Sequence, residues 1–248
     1  MEIKNKLALV TGSSRGLGKA AALALAEAGA DVIVNYMESK KEAEVVASIV
    51  RNHGRRSEAI QADVSKSQDV NQMANYIFNE YGPVDILVNN AGAIIRPGMW
   101  DVLKGENFDL TFDLNLKGTI YCIQEFAPKM IDQRSGSIVN VTSTYAMTGA
   151  AAVLAYTSAK AGIISVTKSM ARELGPHGIT VNCVAPGNFD TDMATEAGDA
   201  INEWAISTTP LGRLGKPEEI GEAVVFLISS NFITGHTLIV DGGQILNM

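Results

Sequence analysis

Short runs of consecutive apolar, often β-branched residues alternate along the chain with longer stretches in which apolar positions recur every three or four residues. The short runs are Leu7–Val10, Asp31–Asn35, Ser57–Gln61, Ile86–Asn89, Ser137–Val141, Thr180–Val184 and Leu238–Val240. Several are apolar on successive positions, the pattern of strands covered on both faces. The longer stretches lie near Leu17–Glu27, Lys40–His53, Gln68–Tyr81, Phe108–Asp132, Tyr156–Leu174 and Pro217–Ser229. The last opens with Pro217-Glu218-Glu219, which presets φ and sets negative charge at the positive end of a helix. Strand–helix alternation predicts an α/β fold: a doubly wound parallel sheet of about seven strands flanked by helices, one domain over residues 1–248. No repeat, linker or low-complexity tract interrupts it. One long irregular stretch, from 187 to about 215, has the length of a loop that closes over a ligand.

The composition fits such a core, with 46% hydrophobic and 19% charged residues in 248. A net charge of −7 argues against nucleic acid or an anionic membrane as partner. The apolar runs are too short to span a bilayer, and MEIKNKLALVTG enters a strand without a signal-peptide pattern, so a cytoplasmic location is expected. Cys122 and Cys183 stand singly in apolar runs and read as buried, reduced thiols. His53, His177 and His236 have no metal-ligand spacing, so no metal is expected. The run Phe108–Phe126 carries Phe108, Leu110, Phe112, Leu114, Leu116, Ile120, Ile123 and Phe126, more apolar surface than one sheet-facing stripe requires. Either a partner or a thicker core covers it.

Candidate chemistry begins directly after the first strand, at Thr11-Gly12-Ser13-Ser14-Arg15-Gly16-Leu17-Gly18. Glycines between a strand and a helix let main-chain N–H groups approach a pyrophosphate, and the helix N-terminus favours its charge. Further on, Tyr156 and Lys160 stand four apart on a predicted helix and share a face. A phenol with a pKa near ~10 is a poor acid–base catalyst at neutral pH, and an adjacent ammonium favours its ionised form. Ser143 lies thirteen residues upstream of Tyr156, at a strand end, with Thr142 and Thr144 beside it.

These motifs resemble the short-chain dehydrogenase/reductase family over essentially the whole chain. Thr11 to Gly18 matches T-G-x-x-x-G-x-G, Asn89-Asn90-Ala91-Gly92 matches N-N-A-G, Asn115, Ser143, Tyr156 and Lys160 match the catalytic tetrad, and Pro186-Gly187 matches the P-G after the sixth strand. The resemblance implies a Rossmann-type sheet and hydride transfer between a carbonyl and an alcohol. Tyr156 would be the acid/base, Ser143 (or Thr144) would hold the substrate oxygen, Lys160 would bind the nicotinamide ribose, and Asn115 would hold a proton-relay water. It also implies cofactor contacts at Gly12, Ser14, Arg15, Gly16, Leu17, Gly18, Tyr36, Asp63, Val64, Asn90, Ala91, Gly92, Pro186, Gly187, Phe189 and Thr191. Asp63 reads equally as a turn residue, and Asn188-Phe189 departs from the family's aliphatic pair. Tyr36 stands where NAD-preferring relatives carry Asp, and Arg15 where NADP-preferring ones carry a base. NADP(H) is favoured, with NAD(H) the alternative should Glu38 fold inwards.

The family's assembly implies a homotetramer through the 108–126 helix and the catalytic one. HGITVNCVAPG, PLGRLGKPEEI and ITGHTLIVDGG resemble bacterial 3-oxoacyl-[acyl-carrier-protein] reductases. The expected substrate is thus a small carbonyl or alcohol, or an acyl thioester, with Arg172, Lys129 and Arg134 as a basic rim for an acidic carrier. The alternatives are a sugar, polyol or other small-ketone dehydrogenase, and a catalytically silent dinucleotide-binding protein.

Overall fold

The computed structural model describes residues 1–246, apart from the side chains of 193, 196 and 197. Seven parallel strands form one sheet in the order β3-β2-β1-β4-β5-β6-β7. They are β1 (Leu7–Val10), β2 (Asp31–Tyr36), β3 (Ser57–Gln61), β4 (Ile86–Asn89), β5 (Gly136–Val141), β6 (Ile179–Pro186) and β7 (Thr237–Val240). β1, β2, β4 and β5 are buried at every position, which explains their largely apolar character.

One face is covered by α1 (Gly16–Glu27), α2 (Lys40–Asn52) and α10 (Pro217–Ser229), packed on Val10, Val34, Val88 and Val139. The other carries α3 (Ser67–Glu80), α5 (Gly118–Gln133) and α7 (Leu154–Leu174), packed on Leu9, Ile33, Leu87 and Ile138. No helix among the described residues is long and apolar enough to cross a membrane. Both cysteines are free and buried.

The predicted helix over Phe108–Asp132 comprises α4 (Gly105–Phe112), a wide π turn at Asp113–Lys117, and α5. Of its eight large apolar residues only Ile123 and Phe126 are buried, and Leu110 is half exposed. The stretch expected to be irregular after 187 is largely helical: α8 (Asp192–Ala197) and α9 (Asp199–Thr208) follow β6, while a one-turn helix, α6 (Tyr145–Thr148), follows β5. α9 buries only Ala205, so it shows no strong apolar period in the sequence.

The strand order reverses between β1 and β4, which pair directly. In a doubly wound sheet this switch point opens a crevice at the C-terminal strand ends, where ligands bind.

Candidate active site

The turn from β1 into α1 lies in that crevice. Gly12 and Gly16 have φ of 60° and 55°, a region that side chains disfavour. At Gly18 a Cβ would run into the Asn90 side chain and the Gly12 carbonyl. No side chain caps α1, whose first turn carries no acid, so its N-terminal N–H groups and positive dipole end are available to an anion. The arrangement fits the pyrophosphate of a dinucleotide.

Polar groups behind the turn hold it. The Thr11 hydroxyl accepts from the N–H groups of Asn90 (3.0 Å) and Ala91 (3.1 Å). Asn90 Nδ2 donates to the carbonyls of Thr11 (2.9 Å) and Gly12 (3.0 Å). Buried Asn35 accepts from Gly12 N–H at 3.1 Å and donates to the Ala62 carbonyl at 3.1 Å, joining the turn to β2 and to the end of β3. Thr11 belongs to the motif read from the sequence, whereas Asn35 was not singled out there. The signal was available in Asn35, a polar residue inside the otherwise apolar DVIVNY strand.

Around this turn the predicted cofactor residues divide. Ser14, Leu17, Asn90 and Ala91 are partly buried about the crevice, and Gly92 is exposed at its rim. Arg15 is exposed, with its guanidinium 3.6 Å from Asp192. Tyr36 supplies no carboxylate, as expected, and its ring is buried in the core beneath α1 and α2. Glu38 is exposed. Val64 is buried. Asp63 is a turn residue here: its carboxylate accepts from the Ser65 N–H (3.0 Å) and hydroxyl (2.6 Å), and Lys66 lies 3.2 Å away. Burial works to raise its pKa, yet the Ser65 bonds and Lys66 prevail and hold it below the usual carboxylate value.

The second cluster stands at the ends of β4 and β5. Ser143 follows β5 and is buried. Its Oγ accepts from Tyr145 N–H at 3.2 Å, and its hydroxyl is near enough to the Tyr156 phenol to favour the ionised form. Of its two neighbouring hydroxyls, Thr142 Oγ1 donates to the Lys160 carbonyl at 2.7 Å, and Thr144 is buried like Ser143. Lys160 Nζ donates to the Val141 carbonyl at 2.8 Å and sits 5.8 Å from the centroid of the Tyr156 ring. Asn115 falls in the π turn, where its amide donates to the carbonyls of Ala93 (2.9 Å) and Thr111 (3.0 Å) and accepts from Ala93 N–H (3.1 Å). A Cβ on Gly92 would lie 2.7 Å from Asn115 Oδ1 and 3.0 Å from Lys160 Nζ, so three sequence-distant residues converge on one point.

The electrostatics of this pair correct an expectation. Spacing suggested that Lys160 lowers the Tyr156 pKa. Burial instead pushes Tyr156 up to about 12, with the Ser143 hydroxyl opposing and Tyr145 adding to the rise. Burial likewise pushes Lys160 down to about 8. Desolvation of both groups outweighs their attraction, because Nζ is turned to a main-chain carbonyl and not to the phenol oxygen. At neutral pH Tyr156 therefore holds a proton that it can donate. Tyr145, half-buried beside Ser143, went unnoticed in the sequence because α6 has no motif of its own.

Of the later residues, Pro186 accepts from Thr144 N–H (3.0 Å), and Gly187 N–H donates to the Val240 carbonyl (2.9 Å). Phe189 is buried in the core, with its ring against Gly215. Thr191 lies beside Gly16. Of the residues expected to form a basic rim, Arg134 reaches the Pro176 carbonyl (3.3 Å) past the end of α7, and Arg172 is sixteen residues beyond Tyr156 on that helix. At 1.5 Å per residue this is about 24 Å along the axis, at the opposite end of the sheet.

A family model described as enoyl-(acyl carrier protein) reductase matches residues 12–244. The chain is 44% identical over 242 residues to 3-oxoacyl-[acyl-carrier-protein] reductase FabG of Staphylococcus epidermidis, covering 97% of this chain and 99% of that protein. It is 43% identical over 245 residues to a 3-oxoacyl-[acyl-carrier-protein] reductase of Synechocystis, covering 97% of each. A solved gluconate 5-dehydrogenase from Burkholderia cenocepacia, in complex with NADP and tartrate, superposes with a TM-score of 0.91 at 32% identity, over 98% of this chain and 97% of that one. The chain belongs to the short-chain dehydrogenase/reductase family. It is an oxidoreductase acting between a carbonyl and an alcohol.

Proposed function

We propose that this chain is an NADP(H)-dependent reductase of 3-oxoacyl thioesters carried on acyl carrier protein, converting the ketone to a secondary alcohol. The observation that carries the reading is the convergence of Ser143, Tyr156 and Lys160 beside an anion cradle, in a chain 44% identical to a reductase of that name. Exposed Arg15 at the edge of the cradle, and the lack of a carboxylate at Tyr36, favour the 2′-phosphate of NADP(H).

The bound dinucleotide supplies the hydride. Gly12 would let the turn pass close to its pyrophosphate, the N–H groups from Ser14 through Gly16 and Leu17 to Gly18 would hold it, and Arg15 would hold its 2′-phosphate. Asp63 and Val64 would border the adenine, Asn90, Ala91 and Gly92 the adenosine ribose, and Lys160 the other ribose. The main chain of Pro186, Gly187, Phe189 and Thr191 would line the nicotinamide end. Ser143 donates a hydrogen bond to the substrate oxygen as negative charge develops there. Tyr156, neutral at physiological pH, donates its proton to the same oxygen. Lys160, pushed down to about 8, exchanges protons near neutrality and can restore the one Tyr156 gives up. Asn115 holds the main chain at Ala93 and so fixes the wall against which Lys160 lies. The unburied apolar row of α4 and the π turn supports a homo-oligomer.

The test is NADPH oxidation with an acetoacetyl thioester, a keto-sugar acid and a cyclic ketone. The thioester is expected to turn over fastest. Turnover of the sugar acid alone, which the likeness to gluconate 5-dehydrogenase would favour, overturns the thioester reading. Arg15→Ala is expected to weaken NADPH about 10- to 100-fold, from loss of a charge-assisted bond of about 1.5–3 kcal/mol, with NADH little affected.

A further inference from the structure

The anion cradle and the helices after β6 meet at one place. Arg15 Nη1 lies 3.6 Å from Asp192 Oδ2, with both side chains 63% exposed. A Cβ on Gly16 would lie 3.8 Å from Thr191 Cγ2, so the main chain of the cradle also approaches the residue before α8. Asp192 is the first residue of α8 and its carboxylate makes no other ion pair among the described residues.

We infer that Asp192 determines cofactor specificity from outside the cofactor site: its carboxylate competes with the 2′-phosphate of NADPH for the Arg15 guanidinium. This rests on the reading of Arg15 as the 2′-phosphate ligand. A guanidinium presents a fixed fork of donors and binds one planar or tetrahedral oxyanion well at a time. A phosphate carrying nearly two charges displaces a single carboxylate, but the displaced pair is a cost paid by NADPH and not by NADH. NADH leaves Arg15 free to keep Asp192. Only the fraction of molecules with Arg15 released binds the phosphate directly, so the apparent affinity is multiplied by that fraction. An exposed pair worth about 0.2–1 kcal/mol lowers NADPH affinity about two- to six-fold. Asp192 thus narrows the preference for NADPH that Arg15 creates, and ties that preference to the position of α8.

The experiment titrates NADPH and NADH separately into the full-length protein, its Asp192→Asn and Arg15→Ala variants, and the double variant. Asp192→Asn is expected to tighten NADPH about two- to six-fold at low ionic strength and to leave NADH unchanged. The gain should shrink in high salt, where exposed pairs are screened, and vanish in the Arg15→Ala background. Equal changes for both cofactors, no change for NADPH, or a gain that survives Arg15→Ala overturns the inference. The two readings fail differently. If Arg15→Ala weakens both cofactors equally, Arg15 is not the phosphate ligand and both fall. If Arg15→Ala is selective for NADPH while Asp192→Asn is silent, only the competition by Asp192 falls.

Discussion

The cradle after β1 offers a ligand main-chain N–H groups, whereas the cluster of Ser143, Tyr156 and Lys160 offers side chains, and the two are held in place by different means. Behind the cradle stand Thr11, Asn35 and Asn90, polar groups that fix the backbone through hydrogen bonds of 2.9–3.1 Å. Their removal leaves buried N–H and carbonyl groups without partners, which costs more than the bond itself contributes. The reactive cluster is supported by burial and by single bonds from Lys160 and to its carbonyl. The Tyr156 hydroxyl, unlike that of Ser143, bonds no main-chain group among the described residues and can be removed without touching the backbone. Binding and folding are therefore inseparable in the first region, while reaction and folding separate in the second.

Four substitutions sharpen or break this contrast. Tyr156→Phe keeps the ring and removes the proton, so turnover should fall about 10²- to 10⁴-fold while the melting temperature and cofactor affinity stay near those of the unmodified protein. A correlated loss of stability would show that the cluster is as structural as the cradle. Gly18→Ala should act in the opposite way. Its Cβ meets the Gly12 carbonyl at 2.5 Å, and overpacking of about 1–3 kcal/mol should appear together with weakened cofactor binding. Normal melting and normal titration in that variant would mean the turn yields freely. Asn35→Ala, remote from any ligand, should cost about 1–2 kcal/mol in denaturant unfolding, and cofactor should recover part of it by mass action.

The smallest effect is a control outside both regions. Glu219 is held down to about 2, first by its bonds to Arg213 and then by the Lys216 N–H. A carboxylate with a depressed folded pKa stabilises above its ordinary value near 4.5 and loses that contribution as pH falls towards about 2. Because the pair is largely exposed, Glu219→Gln should cost under about 1 kcal/mol at neutral pH. The gap between the two proteins should close on acidification below about 4.5. A gap that widens there would reverse the sign of the linkage.

Much of the frame was legible because strands buried on both faces, such as β1 and β4, leave a largely apolar run; β1, β3 and β4 lie where the pattern put them, and the other strands extend it by one to three residues. The sequence also named the residues that converge, since the motifs share a face or a strand end. What it left open was direction. Tyr36 and Phe189 occupy the expected places in the chain, but which way a ring points depends on the layer packed against it, and both turn into the core. The tyrosine–lysine spacing was right and its electrostatic consequence was not, because burial enters a pKa and spacing does not reveal it. The helices after β6 escaped notice because they are largely exposed and lack an apolar stripe.

The π turn at Asp113–Lys117 makes chain length itself a constraint. A regular helix advances about 100° per residue, and the wide turn accommodates one residue more than an α-turn would. The wide turn takes up the extra residue locally, so Cys122, Ile123, Phe126, Ala127 and Met130 stay on the core face of α5. Deleting one residue between 113 and 117 would restore an even helix with that row still on the sheet, but would move the Asn115 amide away from Ala93. Surface loops absorb insertions and deletions, so a family of such proteins can drift in length there. Across this one turn the number of residues is as much a part of the message as their identity.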